Sequence, residues 1–186
     1  MREETRRQRY DRKLKNAKKY PISLCGINFR VDDNLGYLIR SVACFGAEKL
    51  YVIGHIPERS NLKASSGSLI DYVEIIQFST PRDFLDYTEN QRIQIVAAEL
   101  VEEARSLSSY NFNFDRPVCL VGNEHSGVPA EIIKKAQVVY IEMPGAGFCL
   151  NTAQTANILL YEAINQYEKK PQKGSRQTSY RQERIF

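Results

Sequence analysis

Residues 141–156 read IEMPGAGFCLNTAQTA, a stretch that combines the end of a strand, a loop and the start of a helix. It begins in an apolar run of strand character, and residues 144–147 are too rich in Pro and Gly to continue a strand or a helix. Asn151 or Thr152 is a plausible helix cap, and Gln154 follows Asn151 by three residues, as in a capping box. Backbone N–H groups at such a place can approach a ligand closely, so the stretch predicts a binding site.

Apolar runs and helical patterns alternate along most of the chain. Six runs predict strands, at 23–28, 49–54, 72–78, 92–98, 118–121 and 138–142. Helices are predicted at 81–87, 129–136 and 152–168, within the polar segment 59–68, and over a segment capped by Asp33 or Asn34 that ends at Gly46. The strands are continuous apolar runs more than alternating ones, which is typical of a mostly parallel sheet with helices on both faces.

Loops that could bind a ligand follow three of the predicted strands. In a parallel sheet ligands sit beyond the carboxyl ends of the strands, and residues 34–40, 122–127 and 143–151 all fall there. No G-x-G-x-x-G follows the first strand, and the sequence contains neither G-x-x-x-x-G-K-[ST] nor G-x-S-x-G. Dinucleotide-binding, NTP-binding and serine hydrolase functions are therefore disfavoured.

The composition is that of an ordinary soluble protein of one domain, with 186 residues of which 26% are charged. No apolar run reaches membrane-spanning length, and the N-terminus has neither the apolar segment of a signal peptide nor the acid-poor composition of a transit peptide. The four cysteines lie far apart, and with two histidines they make a poor zinc set. Three cysteines stand in apolar segments and are expected to be small buried residues. We therefore expect a cytoplasmic protein with no metal and no membrane partner.

The net charge of +4 is unevenly placed. Residues 1–20 hold nine Lys and Arg against three acidic residues, and residues 165–186 hold six against two. The middle of the chain, 21–164, carries eleven basic and seventeen acidic residues. Two explanations of this charge pattern are open. The basic ends are either solvated tails or arms that bind a polyanion while the acidic body binds a small ligand. We predict a basic arm at 1–20, an α/β domain at 21–168 and a basic tail at 169–186.

Three short motifs stand in order at predicted strand ends. Residues 34–46 contain Asn-Leu-Gly, Arg-Ser and Phe-Gly; residues 120–129 read LVGNEHSGVP; and residues 141–162 join Ile-Glu-Met-Pro-Gly to Leu-Asn-Thr-Ala and end in Leu-Leu-Tyr-Glu. A lesser motif, Lys-Ala-Ser-Ser-Gly-Ser, lies at 63–68. In this order they resemble the SpoU/TrmH branch of the SPOUT methyltransferases, over about residues 21–165. Each motif alone is a weak signal, whereas the ordered set is specific.

The resemblance implies a homodimer of α/β domains whose C-terminal part is threaded into a trefoil knot that binds S-adenosylmethionine (AdoMet). It also implies methylation of a ribose 2′-hydroxyl in tRNA or rRNA. By the same analogy, backbone and apolar groups near the following residues would contact the cofactor: Ala98, Gly122, Ile141, Met143 and Leu150. The polar groups around the reacting ribose would be Asn34, Arg40, Glu124 and Asn151.

Arg40 carries the strongest chemical expectation. The family's arginine at this place has been cast as a general base, but a neutral guanidine near neutral pH would cost roughly 7–9 kcal/mol from its reference pKa. We expect Arg40 to stay charged and to hold a phosphate and the developing alkoxide, while a phosphate oxygen or water takes the proton. Gly36, one turn earlier, is expected to leave room for the Arg40 side chain.

Simpler roles remain open at several of these positions. Asn34 is compatible with a helix cap alone, and Gly122 and Gly127 with turn glycines. Glu124 is compatible with a group that orients neighbouring Asn or Arg side chains without touching the substrate. His125 is expected to be an exposed loop histidine, because the family pattern does not require it.

Cys149 departs from the family, which usually has Ser before the Leu-Asn pair at 150–151. A thiol is larger than a hydroxyl and a weaker hydrogen-bond donor, so the sequence predicts a slower or differently tuned enzyme if that Ser orients the reacting group. No histidine pairs with Cys149 in any motif, and a nucleophilic role has little support.

Three functions are compatible with the sequence. The first is an AdoMet-dependent RNA 2′-O-ribose methyltransferase whose basic arms bind the RNA backbone. Short arms without a separate RNA-binding domain favour tRNA over rRNA as its substrate. The second is a non-catalytic RNA-binding protein of the same fold, and the third is a small-molecule α/β enzyme with solvated tails.

Overall fold

The computed structural model describes residues 5–170, which surround one parallel sheet of seven strands. The strands are β1 (Ser23–Ile27), β2 (Leu50–Ile53), β3 (Ile75–Phe78), β4 (Gln94–Ala98), β5 (Arg105–Ser106), β6 (Pro117–Val121) and β7 (Gln137–Tyr140). They lie side by side in the order β3-β2-β1-β6-β4-β7-β5. The prediction of a parallel sheet is confirmed, but its count of six strands is wrong. The seventh, β5, has two residues at the edge of the sheet and is too short to leave an apolar run.

Helices cover both faces of the sheet and divide its core in two. They are α1 (Arg6–Leu14), α2 (Asp32–Phe45), α3 (Arg59–Ser66), α4 (Pro81–Asn90), α5 (Ala130–Ile133) and α6 (Thr152–Lys169), with a 3₁₀ segment, Gly67–Tyr72, directly after α3. Neighbouring residues of a strand point to opposite faces, so Leu24 joins the core under α2 and α6 while Cys25 joins the core under α4 and α5. Each strand of the centre is therefore buried on both sides, as its continuous apolar run predicted.

The helix ends correct one prediction and confirm two. Helix α2 begins at Asp32 after Val31, which makes no capping hydrogen bond, so the prediction of Asp33 or Asn34 as its cap is wrong. Gly46 ends α2 with φ 74°, the left-handed conformation that glycine adopts without strain. Asn151 caps α6 and forms a capping box with Gln154, as predicted.

The described part of the basic arm is folded against the body. Helix α1 starts from a capping box between Thr5 and Gln8. The Tyr10 ring packs edge-on against Tyr72, 6.0 Å between centroids, and Tyr72 Oη donates to Asp11 Oδ1 at 2.7 Å. After α1, Lys18 Nζ and Tyr20 Oη both donate to Glu168 Oε1, at 2.8 and 2.5 Å. These contacts anchor the arm to the 3₁₀ segment and to α6, and Tyr20 N also donates to Gly46 O at 2.9 Å. Of the predicted C-terminal tail, residues 171–186 lie outside the described residues.

Strand β7 ends between two other strands. Strand β7 lies between β4 and β5, and residues 99–104 connect these two neighbours across its end. Glu99 N donates to Val139 O at 3.0 Å on one side, and Leu107 N donates to Tyr140 O at 2.8 Å on the other. The loop after β7 therefore begins at the carboxyl edge of the sheet, between β4 and β5.

Residues 5–170 contain neither a membrane-spanning helix nor a metal-binding cluster. No helix there combines the length and the apolar character needed to cross a membrane. Within the same range, His, Cys, Asp and Glu side chains form no cluster of three or more placed to hold a metal ion.

Candidate active site

A hydrogen-bonded carboxylate joins the loop after β6 to the start of α2. Glu124 Oε2 accepts from Arg30 N at 3.0 Å, and its Oε1 accepts from Val31 N at 3.4 Å and from Asn34 Nδ2 at 2.5 Å. The two backbone donors lie just before α2, where Val31 itself provides no cap, so the carboxylate holds the entry of that helix. Asn34 is buried, with 4% of its surface exposed, and contributes the third bond from the first turn.

The same asparagine continues the network to α6. Asn151 Nδ2 donates to Asn34 Oδ1 at 3.0 Å, and Asn151 Oδ1 accepts from Ala153 N at 2.8 Å. Each amide therefore uses its oxygen on one side and its nitrogen on the other, from the first turn of α6 to the Glu124 carboxylate. Three of the four residues predicted around the reacting ribose, taken from all three sequence motifs, thus form one hydrogen-bonded chain.

The hydrogen bonds set the charge state of Glu124. Desolvation alone would raise the pKa of its carboxyl, but the bonds from the Arg30 N–H, the Asn34 amide and the Val31 N–H outweigh that effect and hold the pKa below its ordinary value. Glu124 is therefore ionised at neutral pH. An ionised carboxylate is the form that accepts all of these donors.

A cleft of about 510 Å³ opens beside this network. Its lining includes all five residues predicted to contact a cofactor: Ala98, Gly122, Ile141, Met143 and Leu150. Glu99, Glu124 and Thr152 line it as well. The volume falls within the range of about 300–1,000 Å³ of small-molecule sites. The cleft therefore joins the ends of β4, β6 and β7 to the start of α6.

Close backbone packing shapes one wall of the cleft. A Cβ atom added to Gly122 would lie 2.3 Å from the backbone carbon of Gly127, so the loop between them closes only with glycine at position 122. Thr152 Oγ1 donates to Gly122 O at 2.9 Å and ties α6 to the same loop. Neither Thr152 nor Glu99 was among the predicted site residues. The sequence could have indicated both residues by position alone, because Thr152 directly follows Asn151 and Glu99 directly follows the strand end at Ala98.

Arg40 lines a different cleft. Its side chain is exposed, and its Nη1 donates to Ser65 O at 3.3 Å. The second cleft, of about 430 Å³, is formed by α2 and α6 and includes Tyr37, Cys44 and Asn151 but not Gly122 or Leu150. Arg40 therefore does not line the cleft that contains the residues predicted to contact a cofactor. The segment 151–154 separates the two clefts: Thr152 lines the first, and the other three residues line the second.

Gly36 does not serve the Arg40 side chain as expected. A Cβ atom at Gly36 would lie 1.9 Å from Ser65 Oγ, so this glycine is required where α2 packs against α3. The motif residues Gly36 and Ser65 are thus two sides of one helix contact. Because Ser65 O accepts from Arg40, this contact also fixes where the arginine lies.

The cysteines separate into two classes. Cys25 and Cys119 are buried, and burial raises the pKa of both thiols, to about 12 at Cys119. Cys44 is exposed although it stands in an apolar segment, so the expectation of three buried cysteines is wrong. Cys149 is exposed and lines the first cleft, as does His125, which is an exposed loop residue as expected.

Comparisons with known proteins agree on one family. A model of the SpoU rRNA Methylase family matches residues 21–161. A 23S rRNA (uridine(2479)-2′-O)-methyltransferase of Streptomyces viridochromogenes is 31% identical over 140 residues, which are 72% of this chain and 48% of that protein. A tRNA (guanosine(18)-2′-O)-methyltransferase of Aquifex aeolicus is 30% identical over 148 residues, 77% of this chain and 68% of that protein.

A solved structure gives the same result. The SpoU methyltransferase AviRb of Streptomyces viridochromogenes, in complex with AdoMet, superposes with a TM-score of 0.70 at 25% identity, over 83% of this chain and 61% of that one. The chain spans about half the length of the Streptomyces rRNA enzyme and about two thirds of the Aquifex enzyme.

Proposed function

The chain belongs to the SpoU rRNA methylase family, and on this premise we propose that it transfers a methyl group from AdoMet to a ribose 2′-hydroxyl of RNA. The observation that carries the proposal is the network of Asn34, Glu124 and Asn151 beside the 510 Å³ cleft. These residues come from three separate motifs and meet at the carboxyl edge of the sheet, where α/β proteins bind ligands.

The first cleft fits AdoMet. When bound, AdoMet supplies a methyl group activated by its positive sulfonium. Gly122, Ile141 and Leu150 offer backbone and apolar surface, which suits an adenine ring. The carboxylates of Glu99 and Glu124, both in the lining, suit a ligand that carries positive charge.

Methyl transfer to a hydroxyl requires placement and charge stabilisation more than covalent chemistry by the protein. The hydrogen bonds among Asn34, Glu124 and Asn151 fix the edge of the cleft, and the exposed Asn151 offers its amide to the ribose. Arg40 remains charged, binds a phosphate of the RNA and stabilises the developing alkoxide, while a phosphate oxygen or water takes the proton. Cys149 stands at this edge where the family usually has Ser. Its thiol is a weaker hydrogen-bond donor than a hydroxyl, so methyl transfer is slower or differently tuned.

A homodimer completes the proposal, because Arg40 and the first cleft are separate in one chain. The second cleft is flanked by exposed apolar side chains: Tyr37 at 46%, Ile158 at 39% and Tyr161 at 59% exposure. Such a face on α2 and α6 favours association with a second copy. In that dimer, Arg40 of one copy meets the first cleft of the other. Tyr161→Glu should then yield a monomer in sedimentation analysis and abolish transfer, whereas a monomeric wild type that transfers methyl groups would contradict the dimer.

The substrate part of the proposal rests on charge. Helix α1 and the turn after it expose several basic side chains, among them Lys13, Lys15 and Lys19. They form a surface for the RNA backbone. We favour tRNA over rRNA as the substrate, and the cytoplasm as the place where it is modified.

We also propose that the C-terminal part of the α/β domain is threaded into a trefoil knot. What supports it is the path of residues 99–104, which bridge from β4 to β5 across the end of β7. The chain that leaves β7 must pass this bridge before it reaches Asn151 and begins α6.

Labelled AdoMet and bulk RNA test the function. Label should appear in RNA, and mass spectrometry of tRNA and rRNA from cells with and without the protein should locate one missing 2′-O-methyl group. RNA binding without transfer would favour a non-catalytic RNA-binding protein. AdoMet binding without salt-sensitive RNA association would favour a small-molecule enzyme.

A further inference from the structure

Glu99 joins two walls of the first cleft through its carboxylate. It follows directly after β4, and its Oε1 accepts from Leu100 N at 3.0 Å. Its Oε2 accepts from Val128 N at 2.8 Å, in the loop that follows β6. Both oxygens are therefore fixed by backbone donors, one from each wall.

The loop after β6 is shaped to receive this carboxylate. Gly127 has φ +66°, a conformation that strains other residues, and a Cβ atom there would lie 2.4 Å from Glu99 Oε2. Only glycine at position 127 therefore lets the carboxylate reach the Val128 N–H.

Glu99 retains hydrogen-bonding capacity that Glu124 has used. An ionised carboxylate has about four acceptor positions, and Glu124 accepts three donors from Arg30, Val31 and Asn34. The two backbone bonds of Glu99 leave one position on each oxygen. Glu99 lines the cleft and is only half-buried, so a ligand can reach both positions.

We infer that Glu99 binds the 2′- and 3′-hydroxyls of the cofactor ribose, an inference that rests on the proposed function. Two neighbouring acceptors in one plane match two vicinal hydroxyl donors. In dinucleotide-binding α/β folds an acidic residue likewise accepts the ribose 2′-hydroxyl. Of the two carboxylates that line the cleft, Glu124 already accepts three donors, so Glu99 is the one that keeps acceptor positions for the ribose.

Binding measurements with two ligands test the inference. Calorimetry of the full chain would compare S-adenosylhomocysteine with its 2′-deoxy analogue, for the wild type and for Glu99→Gln. Removing hydrogen bonds to a charged group costs about ten- to hundredfold in affinity. The wild type should therefore prefer the 2′-hydroxyl ligand by at least about tenfold, and Glu99→Gln should reduce that preference below about threefold.

Glu102→Gln is the matched control, since Glu102 is exposed in the same connection and does not line the cleft. It should keep the wild-type preference. If Glu99→Gln fails to fold, Gly127→Ala displaces the carboxylate while retaining its charge, and should reduce the preference in the same way.

Three outcomes would overturn the inference. Equal weakening of both ligands by Glu99→Gln would mean that Glu99 only holds the loop. An unchanged preference would mean that it does not meet the ribose. Weakening of S-adenosylhomocysteine but not of 5′-methylthioadenosine, which lacks the amino acid, would assign the carboxylate to the ligand's ammonium group. A wild type that binds none of these ligands would contradict the proposed function itself.

Discussion

Asn34→Ala tests the network that links the three motifs. The variant loses one hydrogen bond donated to Glu124 and one accepted from Asn151. A neutral side-chain bond contributes about 1 kcal/mol and a bond to a charged group about 1.5–3 kcal/mol. Because Glu124 is exposed, the lower end applies, and the free energy of unfolding should fall by about 2.5 kcal/mol. For a domain of this size, the Tm should fall by about 5–10 °C.

A double-mutant cycle with Asn151→Ala isolates the bond between the two asparagines. Asn151→Ala also removes the cap of α6, but that loss occurs in the presence and absence of Asn34 and cancels. Urea unfolding of the four proteins should give a coupling free energy of about 1 kcal/mol. Losses that add within about 0.3 kcal/mol would refute the network as an energetic unit.

Thr88→Val controls for stability. Thr88 is as buried as Asn34, at 3% against 4% exposure, and its hydroxyl donates to Leu85 O at 2.9 Å within α4. This variant should lower the Tm without changing methyl transfer, whereas Asn34→Ala should lower both. Equal loss of transfer in both variants would mean that activity only follows stability.

The remaining predictions concern charge and the cleft edge. Arg40→Lys keeps the charge but loses the fork of donors, so it should lose most transfer of labelled methyl groups; near-normal turnover would remove the positioning role. Replacing Lys13 and Lys15 by Gln should reduce the salt dependence of RNA binding by about 0.7 in the log–log slope for each lost phosphate contact, and an unchanged slope would exclude them from the interface. The lowered pKa of the Glu124 carboxyl predicts a stabilising contribution that is present above its unfolded pKa of about 4.3 and is lost as the pH falls through the folded pKa. Melting of the wild type against Glu124→Gln across this range measures it, and parallel pH profiles would contradict it. Cys149→Ser should raise turnover, measured under saturating RNA, if a hydroxyl orients the reacting group; a slower variant would show that the thiol is the adapted residue.

Local sequence determined much of this site. The capping box at Asn151 and Gln154 and the close contact between Gly122 and Gly127 each follow from residues within a few positions. Because parallel strands end at one edge of the sheet, the segments 34–40, 122–127 and 143–151 were expected to meet there. The last two line the first cleft, whereas 34–40 does not line it and is joined to the other two only through the hydrogen bonds of Asn34. The pattern of apolar runs in the sequence does not predict which strands are neighbours in the sheet. The insertion of β7 between β4 and β5 rests on contacts between residues far apart in the chain.

The failures share one physical cause, which is that they depend on contacts across elements. Asn34 resembles a helix cap in sequence, yet Glu124, ninety residues later, supplies the acceptor for the first turn of α2 and leaves Asn34 inside the helix. Gly36 was expected to leave room for the Arg40 side chain, yet Ser65 occupies that space.

The position of Arg40 is the most informative of these cases. Its place in a helix was predicted correctly, but its guanidinium donates to Ser65 O where α2 packs against α3, and it lines the second cleft and not the first. A single chain therefore holds the first cleft on one side of the 151–154 segment and the arginine on the other. Methyl transfer requires both at one ribose. We propose that a second copy, docked on the exposed apolar face beside Arg40, supplies that arrangement, since bringing Arg40 to the first cleft of its own chain would break its hydrogen bond to Ser65 O.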